Sequence, residues 1–325
     1  MSKPLDRLTL LETFVRIADA GSISAAARDL GLSQPSASRQ LAELEARLKT
    51  QLIRRNTHSL ALTEAGVALL ADARSMLDSW EALEETHLSG QGEIRGTLKV
   101  VAPIGLGQLQ LARLAWRFQL EHPQVSLNWL LDDEPIRFSE LGCDCWIKVG
   151  PVPDDTLIVK PLGRVERLLV GSAEFAALHR LPGTPKAVEK RSLVALAPFE
   201  GGTIPLTGPK GARANIEPPL RLSSNNIVAV KEAVAMGLGM AVLPRWFIHD
   251  ELEHGTFVDV LPKWRAPSLT IYVAYLPGRH QPRRLRAFLE YVVAQVPGIP
   301  GIQRCVARAT GDNSASETCD SRRGP

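Results

Sequence analysis

Apolar residues recur at helical spacing through the first fifty residues. The first predicted helix buries a stripe spaced i, i+3, i+4 and i+7, formed by Leu11, Phe14, Val15 and Ala18. A second helix repeats this spacing at Ile23, Ala26, Ala27 and Leu30. On a third helix, the residues expected to face inward are Ala37, Leu41, Leu44 and Leu48. Gly21 and Gly31 are predicted to end the first two helices, and Ser22 and Ser33 to cap the next two. Such short turns between helices predict a helix-turn-helix unit.

The start of the third helix presents polar groups on the side that its inward stripe leaves outside. These residues are Ser33, Gln34, Pro35, Ser36, Ser38 and Arg39, with the proline in the first turn, where no N–H is needed. Hydroxyl, amide and guanidinium groups at a helix front donate to base edges and phosphates in the major groove. We therefore predict that this end contacts double-stranded DNA. For the serines alone, the alternative is that they only cap and solvate the helix.

Two short apolar runs flank a polar tip between residues 51 and 63, which predicts a two-stranded wing. We expect Arg54 and Arg55 to hold backbone phosphates, which fix position on the duplex without reading its sequence. His58, at the same tip, joins the DNA-binding candidates. The alternative is a solvated hairpin tip.

A long helix is predicted from Thr63, its cap, to about residue 86. Its apolar seam is spaced 4, 3, 4, 3 and consists of Leu69, Ala73, Met76, Trp80 and Leu83. Residues 1–63 carry nine cations and six acids, whereas residues 64–90 carry one cation and six acids. Because the long helix is acidic, we expect it to avoid DNA and to pair two subunits through its seam. The alternative is packing against the chain's own body.

Strands alternate with helices after residue 96, which predicts an α/β sheet. Strands are expected at 97–102, 125–131, 220–223, 240–243, 257–261 and 269–275. Helices are expected before His122, with a stripe of Leu111, Leu114, Ala115 and Phe118, and at 225–236 and 282–294.

The N-terminal segment resembles the signature of LysR-type transcriptional regulators. The matching positions are Phe14, Ala18, Gly21, Ser22, 24–27, 30–35, Ser38, Arg39, Leu41, Leu44, Glu45, Leu48, Leu52, Arg55 and 62–66. The resemblance implies a homodimer or homotetramer, a promoter site with dyad symmetry and a small-molecule coinducer, and RNA polymerase is a further expected partner. The family often has an aromatic residue where Ile53 stands, and arginines where His58, Ser59 and Ala61 stand. This departure implies a weaker grip on phosphates.

The remaining chain resembles the family's effector-binding domain, a two-lobed α/β fold like that of periplasmic binding proteins. The matching stretches are 96–103, 138–150, 162–172, 220–246 and 261–288. The resemblance implies a cleft between the lobes, with hinge crossings near 163–166 and 265–269. The expected division is a winged helix-turn-helix at 1–63, a dimerising linker helix at 64–90, an effector domain at 91–296 and a disordered polar tail at 297–325. One lobe takes 91–164 plus 269–296, and the other takes 165–268.

Candidate effector-binding residues follow predicted strands or begin predicted helices. They are Pro103, Ile104, Gly105, Asp132, Asp133, Lys148, Thr203, Ser224 and Asn225. Helix N-termini in such clefts favour anionic groups. Ser224 also fits a simple helix N-cap, and the two aspartates a solvated loop. Two neighbouring acids argue against a simple dicarboxylate, unless Lys148 offsets them.

Composition narrows the class of protein. With 325 residues, of which 45% are hydrophobic and 22% charged, the chain has ordinary globular composition and room for two or three domains. No leader or membrane span is readable, so a cytoplasmic location is expected. Cys143 and Cys145 are predicted to be buried small side chains, with a redox switch as the alternative, and Cys305 and Cys319 to be exposed thiols. No metal or cofactor is expected.

Two other functions fit less well. An enzyme built on the two-lobed domain would need an acid, base or nucleophile constellation, which the sequence does not show. An exported solute-binding protein would have no use for the first sixty residues. The sequence therefore predicts a regulator, and not an enzyme, whose binding and bending of promoter DNA changes when an effector enters the cleft.

Overall fold

The structure is a computed structural model that describes residues 6–56, 59–87, 93–179, 184–197, 202–278 and 281–305. Three helices, a hairpin and one long helix come first, and a mixed sheet flanked by helices follows. The predicted α/β class is confirmed.

Three N-terminal helices pack around one small core. They are α1 (Arg7–Ala20), α2 (Ile23–Asp29) and α3 (Gln34–Leu48). The predicted caps are present: the Ser22 hydroxyl accepts from the Ala25 N–H at 3.4 Å, and the Ser33 hydroxyl accepts from the Ser36 N–H at 3.3 Å. Gly21 ends α1 with a φ of 61°, a conformation in which glycine avoids strain. Buried between the helices are Leu10, Phe14, Ile17, Ala26, Leu41 and Leu44.

Leu48 departs from the predicted inward stripe, since 45% of it is exposed. It is the last residue of α3, and Lys49 after it takes a left-handed conformation that turns the chain away from the core. Leu48, at the i+11 position of the stripe, therefore lies one turn beyond the part of α3 that is buried.

The predicted wing is a two-stranded antiparallel hairpin of β1 (Ile53–Asn56) and β2 (Ser59–Leu62). The Glu45 carboxylate joins it to α3 by accepting from the N–H groups of Leu52 at 2.8 Å and Ile53 at 3.2 Å. Two charge-assisted hydrogen bonds of this kind fix the hairpin's direction relative to α3.

The long helix α4 (Glu64–His87) begins where predicted, with the Thr63 hydroxyl accepting from the Gly66 N–H at 3.0 Å. Gly66 packs directly on the Leu52 carbonyl oxygen, and a Cβ at this position would overlap that oxygen. The glycine therefore lets α4 start against the base of the wing.

The C-terminal part alternates helices with strands. Its helices are α5 (Ile104–Leu106), α6 (Ala112–Glu121), α7 (Phe138–Leu141), α8 (Ala173–His179), α9 (Pro185–Val188), α10 (Ile227–Ala235), α11 (His249–Glu253) and α12 (Arg283–Gln295), and a π-helical turn (Gly107–Leu111) joins α5 to α6. Its strands are β3 (Gly96–Ala102), β4 (Val125–Leu131), β5 (Cys145–Val149), β6 (Ile158–Ser172), β7 (Leu193–Leu196), β8 (Ile204–Thr207), β9 (Arg213–Ile216), β10 (Leu220–Ser224), β11 (Ala241–Pro244), β12 (Phe257–Asp259), β13 (Ala266–Tyr275) and β14 (Ile302–Gln303).

Two groups of these elements form the lobes. In the first lobe, β4, β3 and β5 are parallel neighbours, and β13 pairs antiparallel with β5. In the second lobe, β7 and β10 are parallel, and Met240 bridges to Leu193 just before β11. The hairpin of β8 and β9 completes the second lobe.

Long strands connect the lobes. β6 pairs with β13 from Ile158 to Arg167, and from Arg167 onward it also pairs with β11 of the second lobe. The β13 register shifts between Ala266 and Leu269, opposite the same part of β6. These positions coincide with the hinge crossings that the family resemblance implied.

The predicted disorder beyond Pro297 is wrong for residues 298–305. Val296, Ile299 and Ile302 are buried, and β14 pairs antiparallel with β6, joining Ile302 to Val165. Composition misled the prediction because only these few apolar side chains anchor an otherwise polar segment. Cys305 is half-buried, and Cys319 lies outside the described residues.

Candidate functional site

The front end of α3 forms an exposed polar face. Ser33, Gln34 and Arg39 are exposed, Ser36 and Ser38 are half-buried beside them, and Pro35 lies in the first turn. Behind this face, Ala37 and Leu41 are fully buried. The inward packing of one stripe is therefore what turns the polar groups outward.

Capping accounts for part of this polar face. The Ser33 hydroxyl both accepts from the Ser36 N–H and donates to the Ser36 hydroxyl at 2.9 Å. Gln34 and Arg39 make no hydrogen bond or ion pair within the described residues. Their donors are therefore available to an external partner.

The wing carries one described basic side chain at its edge. Arg54 lies on strand β1 of the hairpin, and its side chain is exposed to solvent. The Arg55 side chain and the whole of His58 lie outside the described residues, so their predicted phosphate contacts rest on sequence alone.

The seam of α4 divides into two parts. In the first part, Ala73 is buried in the core of the N-terminal helices and Leu69 packs against the same core. These two residues therefore pack within their own chain, which was the alternative to subunit pairing. Met76 and Trp80 are 55% and 48% exposed, and Leu83 is half-buried. Only the second half of the predicted seam therefore presents large apolar side chains to a partner.

A charged cluster joins α4 to the first lobe, which the sequence did not reveal. Arg284 of α12 is almost fully buried and donates to Asp78 at 2.9 Å, to Glu81, and through Nε to the Thr97 carbonyl at 2.8 Å. Burial raises the pKa of nearby Asp144 to about 6, although Arg284 acts in the opposite direction.

The N-terminal helices are tied to the same part of α4. Arg74, one turn before this cluster, pairs with Asp19 of α1, and its guanidinium packs on Gly142. Helix α4 thus contacts both the N-terminal core and the first lobe through charged groups.

A cavity of about 960 Å³ opens between the two lobes. It lies at the carboxyl ends of β3, β4 and β5, the edge at which parallel sheets usually bind ligands. Eight predicted residues line it: Pro103, Ile104, Gly105, Asp132, Asp133, Lys148, Thr203 and Asn225. The lining does not include Ser224. The remaining walls come from both lobes and from the hinge strands.

The helix at Ser224 also begins later than predicted. The N-cap of α10 is Asn226, whose side-chain oxygen accepts from the N–H groups of Val228 at 2.8 Å and Ala229 at 3.4 Å. The Ser224 hydroxyl instead accepts from the Asn226 N–H at 3.1 Å. Ser224 therefore supports the turn that precedes the cap.

Both helix starts at the cleft are satisfied from within the chain. The Asp133 carboxylate accepts from the Ile104 N–H at 3.0 Å, and Asn226 caps α10. An anion at either helix N-terminus would therefore compete with a side chain of the protein.

Two cations line the cavity. The Lys148 ammonium contacts the backbone oxygen of Asp133 at 3.4 Å and lies 5.0 Å from the centre of the Trp146 ring. Arg167 of β6 was missed by sequence reasoning, since the stretch 162–172 also carries Arg164 and Glu166 and does not single it out. Its Nε donates to the Pro267 carbonyl at 2.6 Å, and burial alone lowers the pKa of its guanidinium.

Cys143 and Cys145 are buried, as predicted. Burial raises the pKa of the Cys143 thiol to about 12, because desolvation disfavours the thiolate and Asp144 adds to the effect. A thiol of this kind is unreactive at neutral pH, which argues against the redox alternative at Cys143.

Two features bearing on other functions are absent from the described residues. No group of three or more His, Cys, Asp and Glu side chains is placed to bind a metal ion. No helix in the same part of the chain combines the length and apolarity that a membrane span requires.

Comparison with known proteins gives matches over nearly the whole chain. Residues 8–67 match the family described as bacterial regulatory helix-turn-helix protein, lysR family, and residues 91–297 match the LysR substrate binding domain. The HTH-type transcriptional regulator PtxR of Pseudomonas aeruginosa is 32% identical over 89% of this chain and 95% of its own. The HTH-type transcriptional activator AaeR of Escherichia coli is 24% identical over 88% and 92%.

Solved structures show the same fold. A full-length OxyR variant from Pseudomonas aeruginosa superposes with a TM-score of 0.70 at 18% identity, covering 94% of this chain and all of that one. The Vibrio cholerae virulence activator AphB superposes with a TM-score of 0.57 at 24% identity, covering 89% and 99%.

Proposed function

Because the chain belongs to the LysR family of bacterial transcriptional regulators, we propose that the front of α3 reads promoter DNA and that an effector in the interlobe cavity modulates this binding. The family membership establishes a DNA-binding helix-turn-helix and an effector-binding domain in one chain. We propose in addition which residues act in each domain and that effector binding changes DNA binding.

The exposed front of α3 is the observation that carries the DNA-binding assignment. Gln34 and Arg39 project from a helix start whose other side is locked into the core, and neither is used within the described structure. An amide or guanidinium in this position is suited to bidentate contact with adenine or guanine. Arg54 lies on the neighbouring wing, where it would contact phosphate.

The exposed half of the α4 seam supports the pairing of two subunits. Met76 and Trp80 are large apolar side chains on the exposed surface of α4, and covering them with the same helix of a second copy would bury both. A dimer of this kind presents two copies of α3 to the two halves of a dyad-symmetric site. We place this assembly in the cytoplasm, where RNA polymerase is its further partner.

The effector assignment rests on the cavity between lobes that share two hinge strands. A ligand touching both lobes stabilises one relative orientation over others, since it can shift an equilibrium only by its differential affinity. The charged contacts of α4 with the first lobe give that shift a physical route towards the N-terminal helices. No enzymatic step is needed for this function.

The test is DNA binding by the full-length protein, measured by fluorescence anisotropy with the DNA upstream of its own gene. Arg39→Ala should weaken specific binding by about 1 to 3 kcal/mol and relax preference at one base pair. Arg47→Ala is the matched control, because Arg47 lies on the same helix but pairs with Glu43 at 2.6 Å. Equal effects of the two substitutions would contradict the assignment of α3.

A second measurement separates phosphate contact from base reading. Arg54→Ala should weaken binding to all sequences alike and reduce the slope of log affinity against log salt by about one. An unchanged slope would remove Arg54 from the interface.

A further inference from the structure

Resting on the proposed effector cavity, we propose that the effector is a small monocarboxylate with an apolar body. Its carboxylate binds the guanidinium of Arg167, and a hydrogen-bond donor at its other end faces the acids at the rim of the first lobe.

Arg167 is oriented but not neutralised. It lies on β6 where this strand pairs with both β11 and β13, and the hydrogen bond from its Nε to Pro267 fixes the guanidinium plane. Neither of its terminal Nη groups donates a hydrogen bond within the described residues. No acid there lies within ion-pair distance of it, and burial lowers its pKa without any opposing charge. A carboxylate would supply the bidentate partner that the protein omits.

Other anion sites in the cavity are already partly occupied. The Ile104 N–H is bonded to the Asp133 carboxylate, and the Val228 and Ala229 N–H groups of α10 are bonded to Asn226. Lys148 contacts the Asp133 backbone and the Trp146 ring. Lys148 lies beside the acidic rim, whereas the Arg167 guanidinium is held in a fixed orientation with both terminal nitrogens open. Arg167 is therefore the cation that can bind a carboxylate in a bidentate manner.

The first-lobe rim has the opposite charge. Asp132, Asp133 and Glu134 follow β4 in succession and line the same cavity. None of the three forms an ion pair within the described residues. A second carboxylate at this end would meet like charges, whereas an amine or hydroxyl would donate to them. The cavity thus favours one carboxylate and one donor.

Apolar side chains supply much of the remaining lining of the cavity. They include Leu193, Val194, Ala195, Ile227 and Val242 of the second lobe. At about 960 Å³ the cavity is of the size that holds metabolite-sized ligands. A ring or short hydrocarbon between the two polar groups fits this wall.

Calorimetry of the full-length protein tests the proposal with four ring-sized probes: benzoate, benzamide, para-aminobenzoate and terephthalate. We expect para-aminobenzoate to bind more tightly than benzoate, and benzoate at least about tenfold more tightly than benzamide, which lacks the charge. Terephthalate should be the weakest carboxylate because its second group faces the acids. Equal affinity for benzoate and benzamide, or preference for terephthalate, overturns the proposal.

Variants identify the groups responsible. Arg167→Ala should reduce para-aminobenzoate affinity at least about tenfold, whereas Arg164→Ala should not. Arg164 is the matched control because it lies on the same strand, bonds to Ser268 at 2.7 Å and does not line the cavity. Replacing Asp132 and Glu134 together by Asn and Gln should increase terephthalate affinity, a gain that simple loss of structure cannot produce.

The experiments distinguish failure of the proposed ligand class from failure of the proposed regulatory function. Promoter binding is measured on the same protein without any probe. If none of the three carboxylates gives measurable binding while the promoter is still bound, the ligand class is wrong and the regulator assignment stands. If Arg167→Ala and Arg164→Ala bind the probe equally, Arg167 is not the carboxylate site.

Discussion

Replacing Arg284 by Met should loosen the attachment of α4 to the first lobe and make protein stability more dependent on pH. The substitution keeps a long side chain but removes the charge and three hydrogen bonds, to Asp78, Glu81 and the Thr97 carbonyl. Breaking a buried ion pair from one side costs about 3 to 5 kcal/mol. Because the two acids on α4 are more than a third exposed and can turn to solvent, we expect the lower end, about 3 kcal/mol.

Asp144 supplies the pH dependence. Its pKa is about 6 in the folded protein, raised from 3.8, mainly by burial. As the pH falls from neutral towards 4, Asp144 binds its proton in the folded state before the unfolded state does, so this group adds stability at lower pH. The difference amounts to at most about 3 kcal/mol. Without Arg284 the charged form is still less favourable, so the pKa rises further.

The assay is thermal unfolding of Arg284→Met and wild type at pH 8 and pH 5. At pH 8 we expect a fall in melting temperature of about 6 °C or more. At pH 5 the fall should be smaller, since Asp144 is then protonated in both proteins. Adding Asp144→Asn to the variant should restore part of the loss at pH 8. Arg286→Ala, an exposed charge on the same helix, is the control and should change little.

Two results would refute this reasoning. One is a loss in Arg284→Met no larger than that in the control. The other is a loss of equal size at both pH values, which would show that Asp144 does not respond to Arg284.

Four further changes probe separate contacts. Gly66→Ala places a Cβ against the Leu52 carbonyl and should destabilise the N-terminal domain by about 1 to 3 kcal/mol in urea unfolding. Asn226→Ala removes the cap of α10 and should cost about 1 kcal/mol in the same assay. Ile302→Ala empties a buried site and should cost about 2 kcal/mol by thermal unfolding. Trp80→Glu places a charge in the exposed seam and should shift the mass from light scattering towards monomer.

Matched controls exist for each change. Gly298→Ala adds a Cβ where nothing lies within 4 Å, and Asn225→Ala alters an exposed residue beside the cap. Gln303→Ala keeps the backbone pairing of β14, and Ser75→Glu adds the same charge to α4 outside the seam. Any of the four predictions is contradicted if its control has the same effect.

Local signals in the sequence predicted the N-terminal domain well. The stripe of α1 and the capping serines act within a few residues, so spacing locates the helices. The predicted face of α1 is displaced, however, since Leu10 and Ile17 are fully buried with Phe14, whereas Leu11, Val15 and Ala18 are half-buried. Leu48 was misjudged because the position of a helix end depends on where the chain turns, here at Lys49. Ala73 was misjudged because the alternatives for an apolar seam, own core or partner, look identical in sequence.

The cleft could be predicted only in part. Residues that follow strands, such as Asp133, were placed at the cavity because parallel strands end at a common edge. Arg167 was missed because β6 serves two lobes and presents no single alternating face. The contacts of Arg284 with α4 join residues about two hundred positions apart, and no local pattern records such a pairing.

The pairing of β14 with β6 places the last described residues across the connection between the two lobes. These residues follow α12 of the first lobe, and Gly301 rests against the backbone of Trp246 in the second lobe. A change in the angle between the lobes would therefore have to shift this backbone contact as well as the hinge strands. The resistance of the effector domain to such a change depends partly on residues after its last helix.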